Sequence, residues 1–260
     1  MNFTQPIRIL VFGTAGVGKT SVCNTLSNEK RETGNRARGV TFESQLYNEF
    51  SYAENQYLIT DTIGLNEADT GAVKSKESLK ALIKLLKNSK DGYNVLIHVM
   101  KIGRITNEIS YNYKLFIDTI AQNKIPCILI VTGCENVQPM EKWAKENKHY
   151  FEEEGLLYKE IVAGCFGESE NPLFESEFKK LRALSMEKTF SKIEECATPY
   201  SIRIYKSQPE FTKAISRIWN IFCDFSGYTN LKIKINEKIQ IILAKMGLTK
   251  SEIEEIVKTF

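Results

Sequence analysis

The chain has 260 residues, 42% apolar and 26% charged, enough to build a sizeable core and to exclude disorder over most of its length. Thirty-five basic residues against 32 acidic ones leave a net charge of +3, which makes no electrostatic case for a nucleic-acid partner, and none is expected. Six cysteines without a CxxC pair and only two histidines argue against a zinc site or a disulfide framework, and for reduced thiols in a cytoplasmic protein.

Ile7–Phe12 is a short apolar run of the buried-strand type, too short and too soon followed by glycines for a signal peptide. A helix is predicted from Val17 to Asn28, a more polar strand over Phe42–Phe50, and a strand over Gln56–Asp61 that ends on an acidic residue. Val73–Lys87 places Val73, Leu79, Leu82, Ile83 and Leu86 on one helical face. Tyr93–Met100 and Pro126–Thr132 read as buried parallel strands, with a helix over Asn107–Gln122 between them and a last strand over Tyr158–Ala163. Helical spacing follows over Phe174–Cys196, Thr212–Cys223 and Leu231–Lys245, and Thr249 with Glu252 forms a capping box in the tail. The lysine-rich stretches near 74–90 and 142–148 read as solvated helix faces. The alternation predicts a doubly wound, mostly parallel α/β sheet over 1–190 and a helical extension over 198–260. No apolar run reaches the roughly 18–20 residues needed to span a bilayer.

Residues 13–20 read GTAGVGKT and fit G-x-x-x-x-G-K-[ST] between a predicted strand and a predicted helix. Small residues let such a loop wrap so that successive N–H groups face phosphate oxygens. Gly13, Thr14, Ala15, Gly16, Val17, Gly18 and Ser21 are therefore expected around the phosphates. Lys19 would reach the β- and γ-phosphates, and the Thr20 hydroxyl would meet Mg²⁺. A chance glycine turn is the bland alternative, and the strand–loop–helix context weighs against it. Residues 57–64, YLITDTIG, end a strand in Asp-x-x-Gly. Asp61 would hold Mg²⁺ through water, and the Gly64 N–H would bond the γ-phosphate. An ordinary strand exit also tends to carry Asp and Gly. Thr41, in a polar arginine-bearing loop, is the expected third Mg²⁺ contact, with Thr33 as runner-up. Residues 132–135, TGCE, end a buried strand where many GTPases place [N/T]-K-x-D. Thr132, Gly133 and Glu135 are expected at the base. Glu135 can accept from the guanine N1 and N2 donors, but Gly133 cannot supply the lysine.

GTAGVGKTS, DTIG and LIHVMKIGRITNEISYNYKLF together resemble the avirulence-induced-gene type GTPases, called immunity-associated GTPases in vertebrates. The likeness runs over about residues 7–190. It includes a box formed here by Met100, Ile102, Gly103, Arg104, Ile105, Thr106 and Glu108, with Ile105 where that family usually has Phe. The resemblance implies a Ras-like fold, GTP/GDP and Mg²⁺ as ligands, and nucleotide-dependent self-association. IVAGCFGES stands in for its fifth motif, placing Ala163 near the base.

Leu65 occupies the position where many Ras-like enzymes orient water with Gln. The expected activity is therefore GTP binding with slow hydrolysis, used as a switch, with Lys19 and Gly64 as the catalytic contacts. A nucleotide-holding module without turnover is the first alternative, and a P-loop ATPase or small-molecule kinase the second. Arg31, Arg36, Arg38 and Arg104 are candidates to reach a second copy's phosphates. His98, mid-strand, reads as a core residue, and Trp219 with Ile215, Ile218 and Phe222 as a core stripe.

Overall fold

The computed structural model describes residues 3–32, 44–62, 81–169, 171–226, 239–245 and 248–257. Strands β1 (Ile7–Phe12), β4 (Asn55–Asp61), β5 (Val95–Lys101), β6 (Cys127–Thr132) and β7 (Glu160–Ala163) pair in parallel in the order β4–β1–β5–β6–β7. Two short strands, β2 (Gln45–Leu46) and β3 (Phe50–Tyr52), run antiparallel on the outer edge of β4. The order reverses direction at β1, so the chain end that leaves β1 faces the crevice where doubly wound sheets bind ligands.

Successive side chains of a strand point to opposite faces, and both faces are covered. Ile9 and Val11 pack with Ile59, Val99 and Ile130 against Val22 and Leu26 of α1 (Lys19–Ser27). Phe190 and Ile193 of α4 (Glu175–Cys196) close the same side. Leu10 and Phe12, with Leu96, Met100 and Leu129, form the other side. They meet Leu82 and Leu86 of a helical segment over residues 81–88, Leu115 and Phe116 of the layer that begins with α2 (Asn107–Tyr113), and Phe151 of α3 (Glu141–Glu153). Covering on both faces is why β1, β5 and β6 read as unbroken apolar runs rather than alternating ones.

The structure departs from the periodicity in three places. The strand expected over 42–50 is two strands in the described part, because the Asn48 N–H turns to Glu29 Oε1 at 2.9 Å instead of joining the ladder. The intervening Tyr47 is buried, with its hydroxyl donating to Asn24 Oδ1 at 3.0 Å. The helix expected over 107–122 opens into a π-helix over Lys114–Ile120, with Ala121 N–H donating to Phe116 O at 2.9 Å. Its wider turn buries Leu115, Phe116, Ile117, Thr119 and Ile120, a set that a 3.6-residue period does not produce. Helix α3 buries only Ala144 and Phe151, so its sequence shows mainly its charged face.

The segment after α4 is fastened to the opening of β5. Tyr93 and Ile202 exchange both backbone hydrogen bonds, at 3.1 and 2.8 Å. Asn94 Nδ2 donates to Thr198 O at 2.8 Å, while Asn94 Oδ1 accepts from Arg8 N–H at 2.9 Å. A Cβ at Gly92 would lie 2.3 Å from Ile202 O, so this close approach needs a glycine at φ +74°. Helix α5 (Gln208–Ser226) then buries Phe211, Ile215 and Ile218 in the same core, with Trp219 half-buried beside them. Helices α6 (Ile239–Lys245) and α7 (Lys250–Val257) follow, with Leu243 and Leu248 buried. Among the described residues no helix is long and apolar enough to cross a membrane.

Candidate functional site

The loop between β1 and α1 is shaped by its glycines. Gly13 leaves β1 at φ +147°, and a Cβ there would lie 2.3 Å from Val99 O on the neighbouring strand, so no other residue fits. Gly18 starts α1 at φ +93°. Lys19 and Thr20 therefore sit in the first turn of a helix whose positive end faces the loop. The loop is also tied from outside: Thr132 at the end of β6 donates its hydroxyl to Val17 O at 2.7 Å. The Thr132 side chain thus faces the loop, a tether that strand periodicity does not reveal.

Three polar groups converge there. Lys19 Nζ donates to Thr14 O at 2.7 Å, and Thr20 Oγ1 donates to Asp61 Oδ2 at 2.9 Å. Asp61 is wholly buried, and its Oδ1 has no hydrogen-bond partner among the described residues. The neighbouring Thr62 Oγ1 is likewise buried without a partner there. Burial pushes the Asp61 carboxyl up to about 6, although Lys19 and Thr20 pull the other way. Burial also lowers the Lys19 ammonium to about 8, against the attraction of Asp61. A buried carboxylate oxygen with open valence, beside a hydroxyl and an ammonium, fits a hard divalent cation together with phosphate oxygens. The donor set is thus compatible with Mg²⁺ and a nucleotide triphosphate.

A second group of loops lies beyond the β6 end. Gly133 takes φ +80°, and the half-buried Glu135 follows. Cys134 N–H donates to Gly164 O at 3.3 Å, which brings Ala163 and its loop beside Glu135. The Cys134 and Cys165 thiols are both pushed up to about 11, chiefly by burial, with the Glu135 carboxylate adding to it. Ser185 of α4 fixes this loop by accepting from Cys165 N–H at 2.9 Å, and a Cβ at Gly164 would lie 2.6 Å from the same hydroxyl. Ser185 had no signal in the sequence, being one small residue inside a long helix. Thr33, Thr41, Gly64, Leu65, Arg36 and Arg38 lie outside the described residues. Arg31 is engaged within its own chain: it stacks over Tyr47 at 3.7 Å and pairs with Glu29 at 3.0 Å. His98 is a core residue, stacked on Phe12, with Nδ1 2.7 Å from Tyr158 Oη.

A family model described as 50S ribosome-binding GTPase matches residues 8–133, just under half of the chain. The described structure superposes on Era in complex with MgGDPNP and nucleotides 1506–1542 of 16S ribosomal RNA, with a TM-score of 0.56 at 14% identity over 82% of this chain and 66% of that one. It superposes about as well on a point variant of Aquifex aeolicus Era bound to GDP·AlF4⁻, with a TM-score of 0.54 at 15% identity over 80% and 66%. The fold is that of a Ras-like P-loop GTPase. The GTPase Der of Chlamydia muridarum is 25% identical over 130 residues, which is 49% of this chain and 24% of Der. The chain thus spans about a quarter of the length of the curated relative it matches.

The P-loop GTPase G domain is the level at which these likenesses agree, and the two superposed Era structures hold MgGDPNP and GDP·AlF4⁻. The expectation of no nucleic-acid partner does not stand, because a protein of this fold is seen in complex with ribosomal RNA. A whole-chain charge of +3 is a sum, and a sum does not constrain what one face of a G domain contacts.

Proposed function

We propose that this chain is a GTP-binding switch with slow Mg²⁺-dependent hydrolysis. The observation that carries it is the Lys19–Thr20–Asp61 cluster, in which a buried ammonium and a buried carboxylate are each held away from their ordinary pKa and Asp61 Oδ1 is left open. Lys19 binds the β- and γ-phosphate oxygens, and the N–H groups of residues 13–21 wrap the phosphates from below. Thr20 and Asp61 would hold the cation, and the sequence motifs assign Thr41 and Gly64 to the cation and the γ-phosphate. Mg²⁺ held by Thr20 and Asp61 would offset the negative charge of the phosphates. Glu135 accepts from the guanine edge, with Gly133 beneath the base and Ala163 beside it, while Thr132 holds the phosphate loop against β6.

The box over 100–108 supports placing the chain near the avirulence-induced-gene type GTPases, and with it GTP-dependent pairing of two G domains. One observation favours a holder of nucleotide without useful turnover: Leu65 cannot hydrogen-bond an attacking water. The deciding experiment is competition between GTP and ATP for the Mg²⁺-supplemented protein, repeated with Glu135→Ala. GTP should win by a wide margin in the wild type, and Glu135→Ala should weaken GTP while leaving ATP unchanged. Equal competition by ATP would replace this reading with an ATPase or kinase.

A further inference from the structure

The sequence TGCE lacks the lysine that usually follows the first residue of the base-reading motif, and the backbone at that position disfavours any side chain. Gly133 sits at φ +80°, a conformation that side chains rarely adopt. A Cβ built on it would lie 3.3 Å from Ile102 Cγ2, tighter than ordinary contact. That same point is 3.6 Å from Cγ and 3.7 Å from Cε of Lys101. Two atoms along one lysine stem at van der Waals distance mean that the Lys101 methylenes run across Gly133.

The placement is held by backbone. Lys101 ends β5 and pairs in register with Thr132, and Ile102 N–H donates to Thr132 O at 2.8 Å. Thr132 in turn bonds Val17 O, so the backbone at Lys101, Gly133 and the phosphate loop are tied into one corner. Lys101 is exposed, so its stem is open to a ligand laid on this corner. A lysine stem can lie along an apolar or aromatic plane while its ammonium stays in water.

We infer that Lys101 supplies, from the neighbouring strand, the cover over the nucleotide base that residue 133 cannot supply. It is a base-binding residue, with its stem on the flat face of the base while Glu135 reads the edge. The inference rests on the guanine-nucleotide reading given above.

The test measures GDP, ADP and inorganic tripolyphosphate binding by titration calorimetry, on the full chain with Mg²⁺. The variants are Lys101→Ala, which removes the stem, and Lys101→Met, which keeps a stem without charge. Lys101→Ala should weaken GDP about tenfold, which is about 1.4 kcal/mol. Lys101→Met should stay within about threefold of wild type, and tripolyphosphate should bind all three proteins alike, which also reports that the loop is folded. Unchanged GDP affinity in Lys101→Ala would overturn the inference. So would a matching loss for tripolyphosphate, or a Lys101→Met variant as weak as Lys101→Ala. A wild type that binds tripolyphosphate but prefers neither GDP nor ADP would sink the guanine reading itself, and this inference with it.

Discussion

Replacing Asp61 by asparagine should make the nucleotide-free protein more stable while spoiling its Mg²⁺-dependent binding. Asp61 is buried, receives one hydrogen bond from Thr20, and carries an oxygen with no partner among the described residues. Its carboxyl is raised from 3.8 to about 6, so the folded chain holds its proton more tightly than the unfolded chain does. The sign of the linkage follows: stability from this group is fully present below pH 4 and is lost as pH rises to about 6 and beyond. The shift corresponds to about 3 kcal/mol of destabilisation at neutral pH. Asparagine keeps the shape and can still accept from Thr20, but it removes the buried charge. Lys19 loses its nearby anion in the process, which takes back part of the gain, so Asp61→Asn should gain about 1–3 kcal/mol at pH 7.5. Urea melts of both proteins between pH 4 and 8 provide the assay. The difference in stability should be near zero at pH 4 and grow to its full size by about pH 7. A variant less stable than wild type at pH 7.5, or a difference that does not change with pH, would refute the reasoning.

Gly13→Ala should cost more than about 3 kcal/mol or prevent folding, because its Cβ would lie 2.3 Å from the Val99 carbonyl of an adjacent strand; thermal melting reads this directly. Lys19→Ala should abolish triphosphate binding in calorimetry and change the melting temperature little, since losing a buried ammonium and leaving Asp61 without its cation act in opposite directions. In the wild type, triphosphate affinity should fall as pH rises through about 8, where Lys19 loses its proton, and also as pH falls below about 6, where Asp61 gains one. Single-turnover phosphate release should be no faster than about 10⁻³ s⁻¹ in dilute protein, rising with concentration if two G domains meet over their nucleotides. Turnover flat over a hundredfold concentration range, with no dimer induced by a non-hydrolysable analogue in sedimentation, would leave a monomeric holder of nucleotide.

The parallel core was legible because buried strands and glycine loops leave local marks. Ile7–Phe12 was bounded to the residue, and GTAGVGKT announced both the loop and the helix that follows it. Long-range hydrogen bonds leave no such mark. Thr132 reads as one more residue at a strand end until its hydroxyl is found on Val17 O, and Ser185 reads as helix surface until it is found under Cys165. The π-turn was missed because it changes the period that the reading assumes. Glycine at position 133 reads as a defect in the base motif until its positive φ and the Lys101 stem across it are seen.

The clasp at Asn94 has a mechanical consequence. One amide holds the Arg8 N–H of β1 on one side and the Thr198 carbonyl on the other, beside the Tyr93–Ile202 pair, so the chain after α4 is fastened to the joined feet of β1 and β5. The phosphate loop hangs from the other end of that strand, about 17 Å away at the usual rise per residue. Between the two, β1 is bonded along its length to both β4 and β5. Displacing β1 along its own axis would therefore strain both parallel ladders before the loop moved. The tail and the phosphate loop are thus fastened to opposite ends of one strand.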